Sequence, residues 1–296
     1  MKTKLGTNLG FAVNRYIEPE VWAKIVREDL GLSSVQFVAD LLNPFLPSDY
    51  VESQITRIKN STEQYDITVD SIFTSAYTRV NHLMHPDEEA RKIWLEWFKK
   101  LLTVGSRLGC TSGGSHFGIL TFDTFNNNYD FMVEKAVKGW QELSRYAEDL
   151  GYECLIFEPM SVPREMACTV GESIKLMDMV NADCGVPMKI CLDVGHAPHP
   201  DERDPYPWIE KLGAVSPIIH IQQTILNKSN HSPFTEEFNK TGLITGEKVM
   251  AALDKSGCKE TIFMFEIGHR EHWDTDNIII ADLAESVKYW RQWVTD

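Results

Sequence analysis

The 296-residue chain is predicted to fold as a single α/β domain, a closed parallel (β/α)8 barrel over residues 1–296. Three observations point there. Short β-rich runs alternate with longer helical patterns from end to end, the signature of stacked βαβ units, and the alternation completes eight cycles. The length lies above the roughly 250 residues typical of such barrels and within their range. Four strand-like segments of the C-terminal half each end on an oxygen or imidazole donor: Glu158 in LIFEPM, Asp193 in ICLDVGH, His220 in IIHIQQT and Glu266 in FMFEIG.

Strands are expected, in order, at residues 5–11, 34–38, 68–74, 111–117, 153–158, 188–194, 218–222 and 261–267. Several are apolar nearly throughout, as parallel strands covered on both faces should be. Helices are expected between them. The clearest follows Pro86-Asp87-Glu88-Glu89, whose acidic first turn suits the helix dipole, and carries Ile93, Trp94, Trp97, Phe98, Leu101 and Leu102 at helical spacing. Gly109 and Gly151 stand where C-terminal caps belong. An open doubly wound sheet would call for a Gly-rich first turn, and Gly6-Thr7-Asn8-Leu9-Gly10 does not match GxGxxG.

Composition narrows the function. No apolar run approaches the roughly 20 residues of a membrane span, and the N-terminus goes straight into a strand pattern without the apolar core of a secretory signal. A cytoplasmic location is expected. Six scattered cysteines without metal-type spacing read as free thiols in a reducing compartment. The formal charge of −14 disfavours a polynucleotide substrate but not a small anionic metabolite.

The four donors are separated by 35 (193 − 158), 27 (220 − 193) and 46 (266 − 220) residues, near the roughly 30 or more of a strand plus crossover helix. Each βα unit therefore supplies one donor, and the C-terminal strand ends of a closed barrel meet at one mouth. A single carboxylate at a strand end is commonly a helix cap or an ion-pair partner; the argument rests on the conjunction. Charged side chains are seldom buried unpaired, yet Glu158 and Glu266 directly follow apolar runs, and a divalent cation would face both. Three carboxylates and one imidazole suit Mn²⁺, Mg²⁺ or Co²⁺ better than structural zinc.

On these residues the chain resembles the xylose-isomerase-like TIM barrels, which include ketose 3-epimerases, hydroxypyruvate isomerase and the endonuclease IV type of repair enzyme. The resemblance covers most of the chain. It implies that Glu158, Asp193, His220 and Glu266 hold one metal, and that Glu158 and Glu266 exchange a proton through a metal-bound enediolate of a small ketose or ketose phosphate. It further implies that His196, in the D-x-x-H run opened by Asp193, contacts a substrate oxygen, and it suggests a homodimer or homotetramer. Other candidate substrate contacts are His116, in the small-residue run from Ser112 to Gly118 that could offer N–H groups to an anion, and Arg164, an arginine near the strand-5 end and shaped to grip phosphate.

Many relatives read His-x-x-Asp after strand 7, whereas His220 is followed by Ile221-Gln222-Gln223, a neutral amide in place of a possible anionic ligand or orienter, and Gln222 is a further candidate substrate contact. The His-Ile-Gln-Gln-Thr run, with Ser232 to Thr235 downstream, is similar to epimerases of short phosphorylated ketoses such as tetrulose phosphates. One alternative is an endonuclease IV-like phosphodiesterase using extra histidines, His82, His85, His116, His196 and His231. The negative charge and the absence of an Asp two residues before His231 count against it. The other alternative is an inactive sugar-binding barrel.

Overall fold

In the computed structural model, which describes residues 1–75, 78–268 and 277–295, eight strands pair in sequence order and close on themselves. They are β1 Lys2–Asn8, β2 Ser34–Val38, β3 Thr68–Phe73, β4 Ser112–His116, β5 Cys154–Glu158, β6 Met188–Asp193, β7 Ile218–Ile221 and β8 Glu260–Phe265. Every pairing is parallel, and β1 closes the ring against β8 from Lys2↔Glu260 to Thr7↔Phe265. The protein is a TIM barrel, as expected. The one displaced strand is β1, which starts and ends three residues earlier than its apolar pattern suggests. Its partner β8 ends at Phe265, and Asn8 turns its side chain back to accept the Gly10 N–H at 2.7 Å, which starts a 3-10 turn at Leu9–Ala12.

The outer layer comprises α1 Pro19–Lys24, α2 Ser48–Gln64, α3 Glu88–Leu108, α4 Phe122–Asn127, α5 Tyr129–Asp149, α6 Val170–Asn181, α7 Pro205–Leu212, α8 Glu236–Asn239, α9 Gly246–Ser256 and α10 Asn277–Trp290. The helix α3 begins where its acidic turn placed it, with the Asp87 carboxylate accepting the Ala90 N–H at 3.0 Å, and it ends at Gly109 with φ 92°. Trp97, Phe98, Leu101 and Leu102 are buried as expected, whereas Ile93 faces solvent. Between strands and helices runs the main apolar core; inside the barrel a smaller cluster of Phe73, Cys154, Ile156, Cys191, Ile218 and Met264 fills the space beneath the mouth.

The glycines of β4 answer to packing. A Cβ on Gly114 would strike the Ile156 carbonyl of the neighbouring strand, and one on Gly113 would crowd Ile72 and Leu102. The run expected to present N–H groups to an anion is thus small because β4 lies tightly between β5 and α3. Trp140 of α5 covers its end, donating to the Phe117 carbonyl at 2.9 Å. All six cysteines are free thiols, and among the described residues no helix is long and apolar enough to cross a membrane.

Candidate metal centre

Because β5, β6, β7 and β8 all point their C-terminal ends at one mouth, Glu158, Asp193, His220 and Glu266 come together there, one ligand atom of each lying within 4.8 Å of the others. Nδ1 of His220 is the focus. It lies 2.9 Å from Oε1 of Glu158 and 3.2 Å from Oε2 of Glu266. Glu158, Asp193 and His220 are buried, and Glu266 is partly covered.

Each ligand is oriented by a partner. His220 turns Nε2 to the Gln36 carboxamide oxygen at 2.7 Å, with the Cys191 sulfur 3.3 Å away and the Phe73 ring edge-on. Asp193 accepts the Gly195 N–H at 2.6 Å, and both its oxygens accept the Gln222 amide, at 3.0 and 2.8 Å. Gln222 in turn accepts the backbone N–H of His231. Gln222, expected as a substrate contact, is fully buried and holds the Asp193 carboxylate, and it lines neither of the two cavities that adjoin the cluster. His196 bridges the acids, 3.6 Å from Glu158 and 3.6 Å from Asp193, with Nε2 3.1 Å from His231.

The cluster fits a divalent ion. Among the described residues, Nδ1 of His196 is buried without a hydrogen-bond partner, and Oε2 of Glu266 has only the His220 and His231 ring nitrogens near it, at 3.2 and 3.6 Å, although such atoms ordinarily have a full partner. The carboxylates also pull positive charge inward. Burial alone would lower His220, but Cys191, Glu266 and Glu158 more than reverse it and hold its pKa well above the usual range. Likewise burial would lower His196, and Asp193, Glu158 and Glu266 raise it on balance. Glu266 shows the reciprocal effect: burial favours its neutral form, yet His220, His231 and His196 keep it well below the usual carboxylate range. For Asp193 burial wins over His196 and His231, and its pKa moves up.

Two cavities adjoin the cluster. A small one of about 90 Å³ is lined by Glu158, Glu266, His196, His231, His116 and Arg79, among others. A larger one of about 380 Å³ shares Ser75, His231 and Glu266 with it and extends past Thr7, Asn8, Arg15 and Asn230. His116 lines the small cavity, with Nε2 3.0 Å from the Val80 carbonyl.

Arg164 does not face the site. It bonds the Leu120 carbonyl at 2.6 Å, stacks on Phe122 and lines neither cavity. The loop after β5 turns it away, and Arg79 from the loop after β3 stands in the place expected of it. Asn8, Gln36 and Arg79 escaped the sequence reading; Asn8 ends β1 and Gln36 sits in the middle of β2, and their polar side chains inside largely apolar strand runs were the available signal. Among the histidines of the nuclease alternative, His231 joins Asp193 and His196 in a second group within 4.8 Å. His82 accepts the Leu83 N–H and packs against Phe98 and His116, His85 accepts the Asp87 N–H, and neither joins a donor group among the described residues.

The model of the xylose isomerase-like TIM barrel family matches residues 26–293. D-Erythrulose 1-phosphate 3-epimerase of Brucella abortus (strain 2308) is 31% identical across 98% of this chain and 96% of its own. A Rhodospirillum rubrum ATCC 11170 protein provisionally named a xylose isomerase has a crystal structure that superposes with a TM-score of 0.89. It is 25% identical, over 99% of this chain and 100% of that one. D-Psicose 3-epimerase of Clostridium cellulolyticum H10, solved with D-tagatose, shares the fold with a TM-score of 0.67 at 18% identity, over 98% of this chain and 91% of that one.

Proposed function

The chain belongs to the xylose isomerase-like TIM barrel family, and from that premise we propose that it is a divalent-metal-dependent epimerase acting at C3 of a short ketose phosphate of the tetrulose 1-phosphate class. One observation carries the chemistry. Glu158 and Glu266 converge on Nδ1 of His220 at 2.9 and 3.2 Å, on the wall of a cavity. Two carboxylates around one point are what a reaction needs if it removes a proton from carbon and returns one. The substrate class rests on the B. abortus relative and on the His-Ile-Gln-Gln-Thr run at His220.

Glu158, Asp193, His220 and Glu266 are the residues that would hold the ion, and their oxygen-rich set suits Mn²⁺, Mg²⁺ or Co²⁺. When bound, such an ion would polarise a substrate carbonyl and the hydroxyl of the adjacent carbon, acidifying the hydrogen on that hydroxyl-bearing carbon. Glu158 and Glu266 form the acid/base pair: one carboxylate takes the C3 hydrogen as a proton, and the other returns a proton to the opposite face. His196, whose buried Nδ1 lies beside Glu158 and has no hydrogen-bond partner among the described residues, donates to a substrate oxygen in this reading. Gln222 keeps both Asp193 oxygens turned to the cluster.

Incubating manganese-loaded protein with D-erythrulose 1-phosphate in deuterated water tests this by NMR. Deuterium should enter at C3 as the epimer forms, and a chelator should stop both. Absence of exchange, or an undiminished rate after chelation, refutes the proposal. Metal counting separates it from the phosphodiesterase alternative, to which the second donor group, Asp193, His196 and His231, lends support. One ion per chain is expected, and three ions with phosphodiester cleavage would favour the nuclease.

A further inference from the structure

Arg79 enters the small cavity from the loop after β3 and is the one lysine or arginine among the described residues that line it. Its guanidinium is braced from behind. Glu165, buried at the end of the 3-10 turn Pro163–Glu165, pairs with one terminal nitrogen. Beyond it Met166 and Ala167 adopt left-handed backbone, with φ 65° and 55°, conformations that persist only where surrounding structure enforces them. The other N–H groups of Arg79 have no hydrogen-bond partner among the described residues.

Charge explains what such a group is for. A phosphate dianion brought into the small cavity lies beside the carboxylates of Glu158 and Glu266 and meets their repulsion. His116 cannot relieve it, since burial pushes its pKa down to about 4 and keeps it neutral. Arg79 supplies a fixed cation with a planar fork suited to phosphate oxygens. Burial lowers its own pKa, while Glu158 and Glu266 are near enough to raise it in part. We propose that Arg79, positioned by Glu165, binds the phosphate of the substrate and thereby makes the enzyme prefer phosphorylated over free ketoses. This rests on the ketose phosphate reading above.

The test compares wild type and Arg79→Gln, both manganese-loaded, on D-erythrulose 1-phosphate and on unphosphorylated erythrulose. Arg79→Gln should lose roughly 10- to 100-fold in kcat/KM on the phosphate ester, chiefly through KM, a span expected for one charged hydrogen-bonding group. Turnover of the free ketose should stay within about threefold. Should Arg79→Gln fold poorly by thermal melting, Arg79→Lys keeps the charge and should show the same selective loss in smaller measure. Equal losses on both substrates, or a selective loss in Arg15→Gln of the larger cavity instead, overturn the proposal. Wild type inactive on every ketose and ketose phosphate would sink the proposed function itself. Activity with unaltered phosphate preference in Arg79→Gln would sink only this inference.

Discussion

Oε1 of Gln36 lies 2.7 Å from Nε2 of His220, and a backbone amide fixes the sense of that bond. The Gly10 N–H can only donate, so Asn8 must face it with its oxygen. Asn8 then offers its NH₂ to Gln36, at 2.7 Å, which leaves the Gln36 oxygen toward the ring. Nε2 of His220 is therefore the donor, so Nδ1 is the nitrogen that faces the carboxylates and, once it gives up its proton, offers its lone pair to an ion. Partners of this kind orient metal-binding histidines, and their loss typically costs 10- to 100-fold in affinity. Gln36→Leu should weaken manganese binding by about that factor with the fold intact, as read by chelator competition and circular dichroism. Unchanged affinity would show that the relay does not set the ligand's orientation.

The raised pKa of His220 predicts proton release on metal uptake. Burial opposes the imidazolium, but the surrounding negative groups prevail and hold the proton above the usual histidine range. An ion that takes Nδ1 must displace it, so proton and metal compete and apparent affinity falls as pH drops. Titration calorimetry near pH 7 in two buffers of different ionisation enthalpy should report close to one proton released per manganese bound. Identical heats in both buffers would contradict the assignment of His220 as a protonated ligand.

The barrel and its four donors were legible because topology does the work: once strands alternate with helices, residues that end successive strands must meet. The relay was not. A three-residue shift of β1 puts Asn8 at a strand end where the apolar pattern had it mid-strand. Gln36 reaches a histidine 184 positions away, a contact no local pattern encodes. Arg164 and Arg79 both sit in loops after strands, and which of them turns inward depends on whether Phe122 or Glu165 captures the guanidinium. Gln222 was read as a substrate contact from its place beside His220; its burial against Asp193 shows a bracing contact that no local pattern announced.

His116 ties stability to pH. Burial lowers its pKa from 6.5 to about 4, the nearby Arg79 acting in the same sense and the Val80 carbonyl against it. Between those values the unfolded chain binds the proton and the folded one does not, so this stability is present above pH 6.5 and is lost as pH falls toward 4. The full span is on the order of 3 kcal/mol, of which about 1 kcal/mol falls between pH 7 and 5.5. Urea unfolding of chelator-treated wild type and His116→Gln at those two pH values should show wild type losing about that much more. Parallel losses would mean that His116 is not held neutral. Buried His82, also pushed down, acts in the same direction in both proteins.

Glu266→Gln separates binding from chemistry. The amide keeps an oxygen for the ion and the shape of the side chain, and Glu158, Asp193 and His220 remain in place, so metal uptake should weaken without vanishing. What the amide cannot do is accept a proton from carbon. Turnover should therefore fall by roughly 10²- to 10⁴-fold, the range for losing a general base, and solvent deuterium exchange at C3 should fall with it for the epimer whose C3 hydrogen faces Glu266. The reciprocal Glu158→Gln separates the roles of the two acids. If each carboxylate serves one face of C3, the two variants should exchange hydrogen from opposite epimers, as NMR on each pure epimer would reveal. Retained epimerisation in Glu266→Gln would remove that residue from the reaction and leave it only a ligand.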